Sequence, residues 1–147
     1  MTLADAAAAL PELERRLARA LSARGEIQEA YLFGSRAVGR AQAHSDIDVA
    51  VHVDAGLAVA HGYGFASDLA AHLMAAAGSN DIDVVVLNHA PPLLYHRVLR
   101  DGTRIFTRDA LATAAREGYA LSRYCDYVPQ LAKIEAARLG ATARRER

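Results

Sequence analysis

Two aspartates stand two residues apart in Ser45-Asp-Ile-Asp-Val-Ala-Val51, and the same Asp-Ile-Asp spelling returns at Asp81-Ile82-Asp83. Aspartate is depleted in strands because its short side chain competes for backbone hydrogen bonds, so its recurrence in apolar runs asks for a reason. Side chains at i and i+2 project from one face of a strand, and Asp46 and Asp48 therefore present two carboxylates to one point. Like charges that close repel unless a cation lies between them. If the strand from Asp81 lies alongside, a third carboxylate joins. Asp81 and Asp83 share a face, so parity does not choose between them; Asp83, inside the strand between Ile82 and Val84, is favoured over Asp81, which follows the Ser79-Asn80 turn. Three hard oxygen donors suit Mg²⁺, with waters and substrate phosphates completing its shell. Two such ions can activate the attacking oxygen and stabilise the departing one in a displacement at phosphorus.

A phosphate chemistry also needs an anion cradle. Upstream, Gly34-Ser35 ends the β-rich run Glu29-Ala-Tyr-Leu-Phe33. Glycine lets the backbone bend tightly there, and Ser35 can cap a short helix whose free N–H groups point at an anion. Arg36 and Arg40 can add charge-assisted bonds to phosphate oxygens, which guanidinium matches in geometry. The pairing of this cradle with the downstream aspartates carries the expectation; neither half does alone.

The elements that must hold these residues follow from periodicity. Leu10, Leu13, Leu17 and Leu21 recur at steps of three and four, with Pro11 in a first turn and Gly25 beyond the end, predicting a helix over 10–24. Strands are expected over 29–33 and 46–53, the second alternating Ile47, Val49, Val51 and Val53 against Asp46, Asp48, Ala50 and His52. A helix over 65–77 stops at Gly78, a strand spans 81–87, Pro91 starts a helix to about 100, and a short strand covers 104–107. The order αββαβαβ predicts an α/β (α+β) fold, a small mixed sheet with helices on one side and the carboxylates at its open edge. Residues 1–108 form that domain, and 109–147 a C-terminal helical extension of it, interrupted at Pro129 and ending in a frayed basic tail.

Seventeen Lys+Arg balance seventeen Asp+Glu, so no net field draws the chain onto nucleic acid or an anionic membrane. Cys125 is the single cysteine, which excludes an internal disulfide and a cysteine-based zinc site. No stretch approaches the roughly 20 apolar residues of a membrane helix, and a cytoplasmic protein is expected. His52 shares the aspartates' strand face and is expected to face solvent. His44 is a loop residue beside them. Tyr31 and Phe33 are expected in the core, and Tyr119, Tyr124 and Tyr127 form an aromatic cluster that serves either helix packing or a partner surface.

Gly34-Ser35, ten intervening residues 36–45, then Asp46-x-Asp48 resembles the signature of the polymerase-beta-like nucleotidyltransferase superfamily. More narrowly, the stretches YLFGSRA, SDIDVAV and IDVVVLNHAPPLLYHRVLRDGTRIF, across roughly 29–107, resemble the MntA-type antitoxins that partner HEPN-domain HepT toxins. The resemblance implies a polymerase-beta-like fold, Asp46, Asp48 and Asp83 as catalytic metal ligands, and Gly34, Ser35, Arg36 and Arg40 at the nucleotide. It implies Mg²⁺-dependent transfer of AMP from ATP to a tyrosine of a cognate HEPN toxin, within a hetero-oligomeric complex. Val38 stands where many relatives carry a second arginine, and Arg40 is placed to compensate. Two rival expectations are a small-molecule nucleotidyltransferase of the aminoglycoside type, for which only about 40 residues follow the sheet, and an antitoxin that neutralises by binding alone.

Overall fold

The computed structural model describes residues 3–34, 46–58 and 64–146. Helix α1 (Leu3–Ser22) leads into β1 (Ile27–Phe33) and β2 (Ile47–Val53); a short α2 (Ala55–Ala58) and α3 (Phe65–Ala77) follow. Then come β3 (Ile82–Val86), a 3₁₀ turn (Leu87–His89), α4 (Pro92–Asp101), β4 (Thr103–Thr107) and the long α5 (Ala110–Arg145). The sheet runs β3-β2-β1-β4, with β2 and β3 parallel and the β1 pairings with β2 and β4 antiparallel. It is the mixed sheet expected, and α3 occupies the span foreseen for it. Gly78 closes that helix in the left-handed conformation (φ +68°), its N–H donating to Met74 O at 2.9 Å.

Two boundaries differ from expectation. The first helix begins at Leu3, so Pro11 sits inside it; the alanine run at 6–9 favours helix strongly enough to extend it ahead of the leucine stripe. The last helix passes through Pro129 without a break. Proline there removes one N–H at an exposed position, and the good helix formers that follow, Gln130, Leu131, Ala132 and Lys133, carry the helix on. Its start is well made: Asp109 accepts from Leu111 N at 3.1 Å and Ala112 N at 3.2 Å.

Helices cover both faces of the sheet, not one. On the first face Leu17 and Leu21 of α1 and Leu69 and Leu73 of α3 pack on Ile47, Val49, Val51 and Ile82, all buried. On the second, Tyr95 and Val98 of α4 and Ala120 of α5 pack on Tyr31 and Ala50. The second layer was hidden in the sequence because its sheet face is half polar. Glu29 has no exposed surface; Arg116 of α5 binds it through two nitrogens, Nε at 2.7 Å and a terminal nitrogen at 2.5 Å, and Thr113 Oγ1 adds a bond at 3.1 Å. Tyr31 donates from its hydroxyl to Glu117 at 2.7 Å, which also receives Arg104 at 3.1 Å. A buried charge of this kind is tolerated only when paired and hydrogen-bonded.

Candidate active site

The end of β1 and the beginnings of β2 and β3 meet at one rim of the sheet. The register places Asp48 of β2 opposite Asp83 of β3 on one side and Phe33 of β1 on the other. Partners in a parallel pair share a face, so the two carboxylates project together, toward the α4/α5 side. Asp46 precedes the strand and is exposed. Asp81 lies one pleat ahead of Asp83; its carbonyl accepts Ile47 N–H at 2.7 Å, closing the ladder end.

Burial lifts the Asp48 carboxyl above the usual carboxylate range, and the charges of Asp83 and then Asp46 push it the same way. The repulsion expected from the spelling is thus present, and a divalent cation among the three would relieve it. The donors are all hard oxygens, the type Mg²⁺ selects. Among the described residues these groups stand within electrostatic reach of one another without being gathered into a finished cage.

Gly34 bounds the site on the β1 side. Its φ is +86°, and a Cβ built on it would collide with Asp48 Oδ2, so the glycine both permits the turn and makes room for the carboxylate. Gly102 does a similar service behind it. A Cβ there would strike the carbonyls of Val98 and Leu32 and press on Phe33, so this residue, which nothing in the sequence pattern singles out, lets β4 approach the end of β1. Ser35, Arg36, Arg40, Val38 and His44 lie outside the described residues.

Other candidates fall elsewhere. His52 is opposite Glu29, four residues along β2 from Asp48, about 13 Å at the strand rise. It neither lines the site nor faces open solvent: it is half-buried, and its Nδ1 is buried without a hydrogen-bond partner. Tyr31 is a core residue at 3 % exposure, as expected, and Phe33 packs on the same cluster. Of the tyrosine cluster, Tyr124 stacks flat on His96 of α4, with ring centres 3.6 Å apart.

A glycine-bounded rim, paired strand carboxylates and a small mixed sheet define a nucleotidyltransferase. The chain belongs to the polymerase-beta nucleotidyltransferase family, whose model matches residues 15–111. Its fold is that of the MntA-type members. It is similar to a chain of a toxin–antitoxin complex crystallised with AMP-PNP, at 25% identity and a TM-score of 0.67, covering 85% of this chain and 98% of that one. A mutant toxin–antitoxin complex of MntA with its toxin matches at 25% identity and 0.63, over 85% and 97% of the two chains. The complex of a tri-AMPylated Shewanella oneidensis HEPN toxin with its MNT antitoxin shares the fold at 23% identity and 0.62, over 87% and 98%. No curated protein matches the sequence significantly. Among the described residues no helix is long and apolar enough to cross a membrane.

Proposed function

We propose that this protein is the antitoxin of a toxin–antitoxin pair and neutralises a cognate HEPN-domain toxin, in the cytoplasm, by transferring AMP from ATP to a toxin tyrosine. The observation that carries this reading is the placement of Asp48 against Asp83 on adjacent parallel strands, with Asp46 beside them and Gly34 shaped around the Asp48 carboxylate. The family supplies the reaction class, the AMP-PNP complex of a similar chain supports ATP as donor, and the tri-AMPylated toxin of a fold relative supports a protein acceptor.

Asp46, Asp48 and Asp83 would hold Mg²⁺, which when bound offsets negative charge on the phosphates and on the oxygens that change bonding. Gly34 and Ser35 line the triphosphate, and Arg36 and Arg40 bond its oxygens. The tyrosine oxygen attacks the α-phosphorus in line; the new P–O bond forms as the bond to the β-phosphate bridge breaks, with loss of pyrophosphate and the phenolic proton. The chain's contribution is placement and fixed charge, which is where most catalysis of phosphoryl-type transfer arises.

The test mixes the protein, ATP, Mg²⁺ and a cognate HEPN-domain toxin, and weighs the toxin. A mass gain of one or more AMP units on tyrosine is expected, lost when Mg²⁺ is chelated; an unmodified toxin in the presence of folded protein overturns the assignment. Asp46→Ala with Asp48→Ala separates catalysis from binding, since full neutralisation by that double variant would make binding sufficient.

A further inference from the structure

Helix α5 is 36 residues long, about 54 Å, and far exceeds what the sheet can cover. Its direction is fixed by its contacts: Thr113 and Arg116 meet Glu29 of β1, and Glu117 meets Tyr31. It therefore climbs the second face in the direction of β1, toward Phe33 and Asp48. Tyr31 to Phe33 is about 7 Å along the strand, which a helix covers in about five residues. Residue 122 is then level with the carboxylates, and the rest of α5 runs beyond them on their own face. After Tyr124 stacks on His96, α4 has little left to offer and ends at Asp101.

The overhang carries a continuation of the packing face. Thr113, Ala120, Tyr124, Tyr127, Leu131 and Ile134 follow one another at helical spacing, so the stripe that docks the first half on the sheet persists past it, half-buried at Tyr127 and Leu131 and exposed at Ile134. Of the eight large apolar side chains exposed among the described residues, three are on the second half of α5: Ile134 of the stripe at 47 %, and Val128 and Leu139 beside it at 40 % and 73 %. Residues 128–146 hold four basic side chains against two acidic ones, in a chain whose charges cancel as a whole. Arg138 and Arg145 lie on the stripe itself, four and eleven residues after Ile134.

We propose that this overhanging arm is the acceptor-docking surface: the Tyr127–Leu131–Ile134 stripe, with Arg138 and Arg145, takes an acidic, apolar-faced helix of the toxin and holds it in front of the carboxylates. The inference rests on the protein-acceptor reading above. A partner helix completes the cover of this half-exposed stripe, its acidic groups answer the arm's surplus of positive charge, and the arm's position past the rim delivers the partner to Asp48 and Asp83.

The test compares Leu131→Glu/Ile134→Glu and Arg138→Glu/Arg145→Glu with the wild type in AMP transfer to the HEPN-domain protein. The stripe variant is expected to raise the KM for toxin at least tenfold and the arginine variant several-fold. In both, kcat at saturating toxin and AMP-PNP affinity stay within about twofold, and circular dichroism verifies folding. An unchanged KM in the stripe variant overturns the docking surface while leaving the transfer reaction standing. Loss of single-stranded RNA binding with an unchanged toxin KM also overturns it, in favour of a nucleic-acid face. A wild type that transfers nothing to the toxin removes the reaction and the arm's role together.

Discussion

Asp48 is the residue on which the rim converges, and its neighbours set what substitutions there will do. Asp48→Asn keeps size and removes the charge; transfer to toxin should fall by about two to three orders of magnitude, with the unfolding midpoint held or raised because a repelled carboxylate is gone. Asp83 and Asp81 give the sharper comparison. Asp83 is aligned with Asp48 and Asp81 lies a pleat away with its carbonyl in the ladder, so Asp83→Asn should approach the Asp48→Asn loss while Asp81→Asn stays within a few-fold of wild type. Equal losses at the two positions would refute the alignment argument. Gly34→Ala should cost about 1–3 kcal/mol for the left-handed backbone alone, plus activity, because its Cβ displaces the Asp48 carboxylate; urea unfolding and transfer rate measure the two parts. At this scale the sequence was informative where chemistry leaves a spelling. Asp-x-Asp declares itself by being out of place in a strand, whereas Gly102 looks like any turn glycine until the ends of α4 and β1 are seen converging on it.

Among the elements, the layer formed by α4 and α5 was the least visible in advance, and the reason is electrostatic. Glu29 of β1 and His52 opposite it on β2 signal water to a hydropathy pattern, yet the Glu29 carboxylate is paired by Arg116 of α5, which is distant in sequence. The first face, written in Ile, Val and Leu at period two, needed no such partner to be recognised. The buried pair should behave as one unit. Glu29→Gln or Arg116→Met alone should each cost about 3–5 kcal/mol, and the double variant less than their sum, a coupling that urea titration of the four proteins measures. His52 adds a pH dependence. Burial holds its imidazole below the ordinary pKa of 6.5, with Arg116 acting in the same direction and Glu29 against it. The unfolded chain thus takes up the proton first as pH falls, and stability should decline below about pH 6.5. His52→Gln removes this contribution, so the loss between pH 7.5 and 5.5 should be smaller in the variant; an identical loss would mean His52 titrates freely in the fold. Tyr95, whose hydroxyl is pushed up to about 12 chiefly by burial, stays neutral throughout that window.

For the molecule as a whole, the catalytic rim and the overhang of α5 are separate investments of sequence. Among the described residues, the bonds and stacking that tie α5 to the body lie early in it: the Asp109 cap, Thr113, Arg116 and Glu117 at the sheet, buried Ala120, and Tyr124 on His96. Pro129 marks the transition. A proline in a helix that had to bear load would cost about 3 kcal/mol or more, and the expectation that it interrupts the helix was reasonable; what sequence alone lacked was the knowledge that, among the described residues, the segment after it is mostly exposed. Helices in proteins owe most of their stability to tertiary packing, so the arm draws its order from continuity with the anchored half. Ending the chain after Val128 should therefore change the free energy of unfolding by less than about 1 kcal/mol, with a near-native denaturant m-value, since little surface is buried there. Hydrogen exchange in the intact protein should show the same division, with amides before residue 124 protected to the global stability and those after 130 exchanging through local fraying. Addition of the HEPN-domain protein should then slow exchange in 127–138 specifically. A truncation that unfolds the domain would show instead that the arm supports the core, and protection by ATP alone would place its contacts at the nucleotide instead of the acceptor.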